Sequence, residues 1–233
     1  MLLEVRDLHV FYDDFHVLHG VSLDVGEGEL VGIVGANGHG KSTLLKAICG
    51  LTPVRSGTVR YRRERIDNIA APDLVARGLV YVPEVRNLFN DMTVRENLLL
   101  GAYLQRDPNR TREILEQVFD LYPRLKERAN QQAGTLSGGE AQMLALGRGM
   151  MSDARFMAID EPSLGLAPAL TESMLDTIAQ INRSGVTVLI VEQSLSLIRD
   201  HVHRLYEIEE GKLFKLEPDT SEGAQAAPAG KDG

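Results

Sequence analysis

A glycine-rich segment, Gly35-Ala-Asn-Gly-His-Gly-Lys-Ser42, matches the phosphate-loop pattern G-x-x-x-x-G-K-[ST] at every fixed position. The apolar run Leu30–Val34 before it predicts a buried strand, and residues 42–48 after it predict a helix. Glycines let backbone N–H groups converge on phosphate oxygens, and the start of the helix adds the positive end of its dipole. We therefore expect Lys41 to reach the β- and γ-phosphates of a nucleotide and Ser42 to offer its hydroxyl to Mg²⁺.

A second element, residues 156–161, is an apolar strand that ends in two adjacent carboxylates, Asp160 and Glu161. Asp160 is suited to hold Mg²⁺, directly or through water, and Glu161 to orient or deprotonate an attacking water. Taken alone, this pattern is equally typical of a strand that ends in a polar turn. Paired with the phosphate loop, it predicts a catalytic site.

A third element, Leu-Ser-Gly-Gly-Glu at residues 136–140, predicts another helix that begins with a capping serine. Its N-terminus also suits a phosphate group. One site does not need two phosphate cradles from the same chain. We therefore expect a head-to-tail dimer, in which this helix closes on nucleotide held by the other subunit.

Composition narrows the class of protein. The 233 residues are 43% hydrophobic, the formal net charge is −8, and Cys49 is the single cysteine. The acidic balance argues against broad nucleic-acid binding, so the four arginines within residues 60–65 are better explained as a solvated sheet edge. The longest apolar runs, such as residues 186–191, are far shorter than the roughly 20 residues of a membrane helix. A soluble globular protein without an intramolecular disulfide is expected.

Periodicity predicts an α/β frame that is interrupted by a helical insert at about residues 85–151. Strands are predicted at 3–10, 18–25, 30–34, 58–61, 79–82, 156–159, 186–191, 204–208 and 213–216. Helices are predicted at 42–48, 93–103, 111–121, 137–151, 169–182 and 195–201. Residues 218–233 are rich in Gly, Ala, Ser and Asp, which predicts a disordered tail.

The three elements together, with Pro-Ser-Leu-Gly-Leu-Ala-Pro at 162–168, resemble the nucleotide-binding domain of ABC transporters. The resemblance covers residues 1–217. It implies an α/β P-loop NTPase fold with a mixed central sheet, a small antiparallel β-subdomain and an inserted helical subdomain. It also implies ATP and Mg²⁺ as cofactors, and ATP hydrolysis that is coupled to transmembrane transport.

Individual roles follow from the same resemblance. Tyr12 is expected to stack on adenine, Glu84 to sense Mg²⁺ and the transmembrane partner, and Gln193 to stand where most members have a switch histidine. The catalytic set is Glu161, Lys41 and Gln193, and the metal set is Ser42, Asp160 and Glu84. The nucleotide-binding set is Tyr12, Gly35, Asn37, Gly38, Gly40, Lys41, Ser42, Thr43, Ser137, Gly138, Gly139 and Glu140.

Val-Pro-Glu84 and Val-Glu-Gln193 resemble one subgroup, the F-type ATPase of branched-chain amino-acid importers. Glutamine can donate a hydrogen bond but cannot carry a proton near pH 7, so Gln193 is expected to be a weaker sensor than histidine. The subgroup implies integral-membrane permease subunits, a second ABC ATPase subunit and, indirectly, an extracytoplasmic binding protein as partners. It implies a place on the cytoplasmic face of the cell membrane and no nucleic-acid partner.

Two other functions remain open from the sequence. An importer of urea or short amides would have the same architecture, because this subunit never touches cargo. A soluble ABC protein that acts on ribosomes or DNA is the alternative from a different class. Such proteins usually carry two ATPase domains or long coiled coils, and the sequence shows neither.

Overall fold

The computed structural model describes residues 1–216, which form two sheets with helices packed on both faces. The strands are β1 (Leu3–Tyr12), β2 (Phe15–Val25), β3 (Leu30–Val34), β4 (Ser56–Tyr61), β5 (Glu64–Arg65), β6 (Leu79–Val82), β7 (Phe156–Asp160), β8 (Thr187–Glu192), β9 (Arg204–Glu209) and β10 (Lys212–Leu216). The helices are α1 (Lys41–Ile48), α2 (Ala71–Ala76), α3 (Val94–Gly101), α4 (Pro108–Leu121), α5 (Pro123–Glu127), α6 (Gly138–Met150), α7 (Pro168–Arg183) and α8 (Leu195–Ile198), with a 3₁₀ turn at Ala133–Thr135. The predicted tail at 218–233 lies outside the described residues, and the domain boundary at 217 stays a prediction.

The larger sheet has the strand order β10-β9-β3-β8-β7-β6. Its five strands from β9 to β6 run parallel, and β10 pairs antiparallel with β9, which makes the sheet mixed as expected. Every residue of β3, β7 and β8 is buried, as continuous apolar runs in a parallel sheet require. Because parallel strands end at the same edge, the phosphate loop, Asp160 and Gln193 are brought to one side of the molecule.

The smaller sheet, β2-β1-β4-β5, is antiparallel throughout and forms the predicted β-subdomain. Its inner face, α1 and one face of the larger sheet enclose a core that includes Leu8, Leu44 and Phe156. A second core on the opposite face joins the larger sheet to α7 and to the helices between β6 and β7. The phosphate-binding helix α1 is therefore held between the two sheets.

Helices α3 to α6 fill the chain between β6 and β7, which confirms an all-helical insert. Two capping boxes form, one from Thr93 to Glu96 and one at the predicted capping serine, from Ser137 to Glu140. Asn97 is fully buried and exchanges hydrogen bonds of 3.0 Å with both backbone groups of Phe89, which secures the segment before α3. Among the described helices, none is both long and apolar enough to span a bilayer.

The structure differs from the sequence prediction in short elements. The helices α2 and α5 span six and five residues, too few to show a helical period, and were not predicted. The helix α8 ends at Ile198 rather than at residue 201. Glycine is a weak helix former in the interior of α6, but a Cβ at Gly149 would lie 3.0 Å from Val82 Cγ2 and 3.1 Å from Met157 Cε. Glycine lets α6 pack closely against β6 and β7.

Candidate functional site

A cavity of about 290 Å³ opens at the carboxyl edge of the larger sheet and gathers most of the predicted site residues. Its walls come from the phosphate loop, the start of α1 and the segments that follow β6, β7 and β8. The lining residues are Asn37, Gly38, Gly40, Lys41, Ser42, Thr43, Glu84, Glu161, Leu164 and Gln193. Four separate parts of the sequence thus meet in one place.

The phosphate loop owes its shape to glycines at two positions. Gly40, the N-cap of α1, has φ = 104°, in a region that favours glycine. A Cβ at Gly35 would collide with the backbone carbonyl of Ile208, so only glycine lets the loop approach β9 this closely. The loop and the first turn of α1 therefore present their backbone N–H groups toward the cavity, as an anion site requires.

Lys41 lies almost completely buried, with 3% of its side chain exposed. Its ammonium donates to the backbone carbonyls of Gly35, at 2.7 Å, and Ala36, at 3.1 Å. It also forms an ion pair of 3.0 Å with Glu161, whose side chain is 6% exposed. The lysine that is expected to bind phosphate is thus paired with the glutamate that is expected to activate water.

Gln193 completes this chain of contacts from the other side. Its side-chain amide donates to Glu161 Oε2 at 2.6 Å, so the two carboxylate oxygens of Glu161 face Lys41 and Gln193 respectively. Glu161 itself has φ = 42°, in the left-handed region, and its backbone N–H donates to Val191 on β8. Side chain and backbone together fix the direction in which this carboxylate points.

Ser42 and Asp160 form the second pair in the site. The Ser42 hydroxyl donates to Asp160 Oδ1 at 2.9 Å, and Asp160 is 1% exposed. A hydroxyl and a carboxylate side by side are hard oxygen donors of the kind that Mg²⁺ prefers. The residues present therefore fit a magnesium ion that is shared with a nucleotide, and Glu84 adds a further carboxylate to the wall of the same cavity.

The segment after β6, which carries Glu84, is tied to α6. The Arg148 guanidinium donates to the backbone carbonyls of Arg86, at 2.8 Å, and Asn87, at 2.7 Å. Arg86 in turn donates to the side-chain carbonyl of Gln142 at 2.9 Å. These hydrogen bonds join α6 to the loop that carries Glu84.

Glu192, the last residue of β8, holds the segment after Glu161. Its Oε1 accepts a 3.0 Å hydrogen bond from the backbone N–H of Ser163. Burial raises the pKa of the Glu192 carboxyl above its usual value, although the contacts with Ser163 oppose that rise. The segment that begins at Ser163 is thus anchored to the end of β8.

The residues Ser137, Gly138, Gly139 and Glu140 do not line this cavity. Ser137 is exposed, and its hydroxyl accepts from the Glu140 N–H at 3.3 Å, while Glu140 accepts from the Ser137 N–H at 2.9 Å. Glu140 also pairs with Arg128 at 3.0 Å. The N–H groups of Gly138 and Gly139 stand in the first turn, where a helix offers no acceptor of its own.

Tyr12 also lies outside the lining of the cavity. Its side chain is 46% exposed, and its hydroxyl lies 3.4 Å from Thr52 Oγ1. An exposed aromatic ring at the end of β1 is available for stacking, but its role in adenine binding stays a prediction.

Sequence reasoning missed several residues that shape the site: Tyr81, Arg86, Gln142, Arg148, Ser163 as a partner of Glu192, and Glu192 itself. Tyr81 donates a 2.6 Å hydrogen bond to Asp160 Oδ2. Strand pairing could have revealed it, because β6 and β7 are adjacent and Tyr81 pairs with Ala158, two residues before Asp160.

Known proteins share both the sequence and the fold. The ABC transporter family model matches residues 18–164. The high-affinity branched-chain amino acid transport ATP-binding protein BraG of Pseudomonas aeruginosa is 41% identical over 212 residues, which are 91% of each chain. A probable branched-chain amino acid transport ATP-binding protein, LivF, of Archaeoglobus fulgidus is 33% identical over 91% of this chain and 90% of its own.

Among solved structures, a nucleotide-free ATP-binding cassette from an ABC transporter superposes with a TM-score of 0.82 at 26% identity, over 91% of this chain and 89% of its own. An ADP conformation of another such cassette gives a TM-score of 0.80 at 29% identity, with the same coverage. The chain belongs to the ABC transporter family as its ATP-binding, ATP-hydrolysing cassette.

Proposed function

We propose that this cassette powers the import of branched-chain or other hydrophobic amino acids. The proposal is supported by the similarity to BraG and LivF, two branched-chain amino acid transport ATP-binding proteins that match this chain over nine-tenths of its length. The single observation that carries the chemistry is the chain of contacts from Lys41 through Glu161 to Gln193 in one cavity.

The contacts indicate how the residues divide the work. A nucleotide phosphate that enters the cavity competes with Glu161 for the Lys41 ammonium. Once Lys41 has moved to the phosphate, the Glu161 carboxylate is free to accept a proton from the attacking water. The Gln193 amide keeps that carboxylate oriented while ATP and water become ADP and phosphate.

Ser42 and Asp160 would hold Mg²⁺, with Glu84 as a further carboxylate close by. When bound, this ion neutralises charge on the transferred phosphoryl group. The chain itself contributes the two oxygen donors, and it holds them 2.9 Å apart on adjacent elements.

A second cassette completes the site in this proposal. The helix α6 presents the N-terminus that a phosphate needs, yet it lies outside the cavity of its own chain. In a head-to-tail pair, the helix start at residues 137–140 of one subunit would face the nucleotide on the other. The pair consists of two copies of this chain or of this chain and a related ATPase.

Permease subunits are the second class of partner. Large apolar side chains stand exposed on the helical insert and the loop before it, including Phe89, Leu99, Leu100 and Tyr103. Such a patch is suited to docking on membrane subunits. The cassette would then act at the cytoplasmic face of the membrane.

Purification of the native complex from membranes tests this function. Leucine, isoleucine and valine, presented with their binding protein, are expected to stimulate ATP hydrolysis several-fold. The same complex with Glu161→Gln serves as the control for contaminating ATPases. Stimulation by urea or short amides alone would overturn the cargo assignment, and co-purification with ribosomes or DNA instead of hydrophobic subunits would overturn the transport role.

A further inference from the structure

The carboxylate of Asp160 receives a hydroxyl on each of its two oxygens. Ser42 donates to Oδ1 at 2.9 Å, and Tyr81 donates to Oδ2 at 2.6 Å. Asp160 is almost fully buried, so its orientation depends on these partners. Ser42 belongs to the phosphate loop and serves the metal. Tyr81 lies on β6, and neither the motifs nor the proposed chemistry gives it a role.

Strand pairing explains how Tyr81 reaches this carboxylate. The strands β6 and β7 run parallel, and Tyr81 pairs with Ala158. Side chains two residues apart on a strand share a face of the sheet, so Tyr81, Ala158 and Asp160 project to the same side. That side of the sheet faces the core that includes α1. Tyr81 on β6 and Ser42 on α1 therefore reach the same carboxylate from two different elements.

We propose that Tyr81 is a positioning residue for magnesium: its hydroxyl holds Oδ2 of Asp160 so that Oδ1 stays beside Ser42, ready for the cation. Ser42 must share its oxygen with the metal, whereas Tyr81 keeps its bond to Asp160 in either case. Partners of this kind fix the direction of a metal-binding carboxylate, and their loss typically weakens metal binding by about 10- to 100-fold. The inference rests on the proposed use of Mg²⁺ with ATP.

Tyr81→Phe isolates the effect, because it removes one oxygen and keeps the ring. The matched control is Tyr61→Phe. The Tyr61 side chain belongs to the same core and is buried beside Phe156, and among the described residues its hydroxyl has no hydrogen-bond partner. Both variants lose a phenol oxygen, but only Tyr81→Phe removes a contact to the metal site.

The measurement uses the full chain saturated with a non-hydrolysable ATP analogue and titrated with Mn²⁺ as a paramagnetic substitute for Mg²⁺. Electron paramagnetic resonance reports free Mn²⁺, and a parallel titration of the analogue alone gives the baseline. Binding of the analogue without metal is measured separately in EDTA. Thermal melting verifies that each variant is folded.

Tyr81→Phe is expected to weaken Mn²⁺ binding about 10-fold or more and to leave metal-free analogue binding within about twofold of the wild-type value. Tyr61→Phe is expected to change neither quantity. Unchanged Mn²⁺ affinity in a folded Tyr81→Phe chain, equal loss of metal-free binding, or loss of cooperative melting would each overturn the role of Tyr81. If wild-type protein binds the analogue without any metal dependence, the proposed use of Mg²⁺ fails instead.

Discussion

Two regions of this chain are built to meet phosphate, and they are organised differently. In the cavity at the sheet edge, two buried charged side chains form an ion pair. Lys41 is 3% exposed and Glu161 6% exposed, and Lys41 Nζ lies 3.0 Å from Glu161 Oε1. At the start of α6, Ser137 is exposed and its capping bonds close within its own helix. One region is a cluster of buried side chains in contact, whereas the residues at the start of α6 do not line the cavity.

The difference shows what one chain can do alone. Lys41, Glu161 and Gln193 form one chain of contacts, and Ser42 contacts Asp160 close by, so we expect one chain to bind nucleotide by itself. The start of α6 contributes no side chain to the cavity lining, so we expect it to act on a nucleotide held by another subunit.

Glu161→Gln is expected to lower turnover on the order of 10³-fold, because the variant loses the base that accepts a proton from water. ATP binding is expected to persist or tighten, since Lys41 no longer pairs with a carboxylate. Phosphate release and nucleotide binding by the assembled transporter measure the two effects. The exposed Glu172 on α7 provides the control, Glu172→Gln. Turnover within tenfold of the wild type would remove Glu161 from its assigned role.

Ser137→Arg places a bulky cation at the start of α6 and is expected to reduce turnover of the assembled transporter by about 100-fold, comparable to the loss of a main transition-state contact. Ser137→Thr keeps a capping hydroxyl and should retain most activity. Steady-state ATPase assays compare the two variants. A fully active Ser137→Arg transporter would show that this helix end takes no part in catalysis.

Gln193→Ala removes the 2.6 Å hydrogen bond to Glu161 and is expected to lower turnover about 10-fold, the value of one charge-assisted bond. Gln193→His introduces an imidazole ring that can donate a hydrogen bond and also carry a proton. If the glutamine limits hydrolysis, the histidine variant should turn over faster in the assembled complex. Unchanged turnover in Gln193→His would show that Gln193 does not limit the rate.

Gly149→Ala tests how α6 is seated against the sheet that carries the cavity. Helix propensity alone predicts a gain of about 1 kcal/mol. The contacts at 3.0 Å and 3.1 Å with Val82 and Met157 predict instead a loss of about 1–3 kcal/mol from overpacking. Chemical denaturation measures the sign, with Ala141→Gly on the same helix as a propensity control. A more stable Gly149→Ala chain would show that α6 can move away from β6 and β7 without loss of stability.

The smallest effect concerns pH and the cap of α6. The hydrogen bond from the Ser137 backbone lowers the pKa of Glu140, with smaller help from the Ser137 hydroxyl and Arg128. A carboxyl whose pKa is lower in the folded protein than in the unfolded chain stabilises the fold at pH values above its unfolded pKa. This stabilisation is lost as the pH falls through the folded pKa. Glu140→Gln should therefore flatten the acid side of the stability curve, measured by denaturation between about pH 5 and pH 3. Parallel curves for the two proteins would contradict the contribution of this cap.

The sequence predicted the cavity well because its motifs lie at strand ends, and the ends of parallel strands share an edge. It did not reveal Tyr81 or Glu192, because both lie within apolar strands, where pattern alone predicts core. The sequence separation of Lys41 and Ser137 also does not predict whether the starts of α1 and α6 lie in contact, since the distance between them depends on how the helical insert packs. The short helices α2 and α5 were not predicted, because segments of so few residues show no helical periodicity.

The central claim is that the cavity binds nucleotide within one chain and that α6 serves a different chain. ATP affinity of the isolated, monomeric protein tests it most directly, with Lys41→Ala and Ser137→Arg compared side by side. Lys41→Ala is expected to abolish binding, whereas Ser137→Arg should bind ATP as the wild type does. An equal loss of affinity in both variants would contradict the claim, because it would place both phosphate cradles on the same nucleotide in one chain.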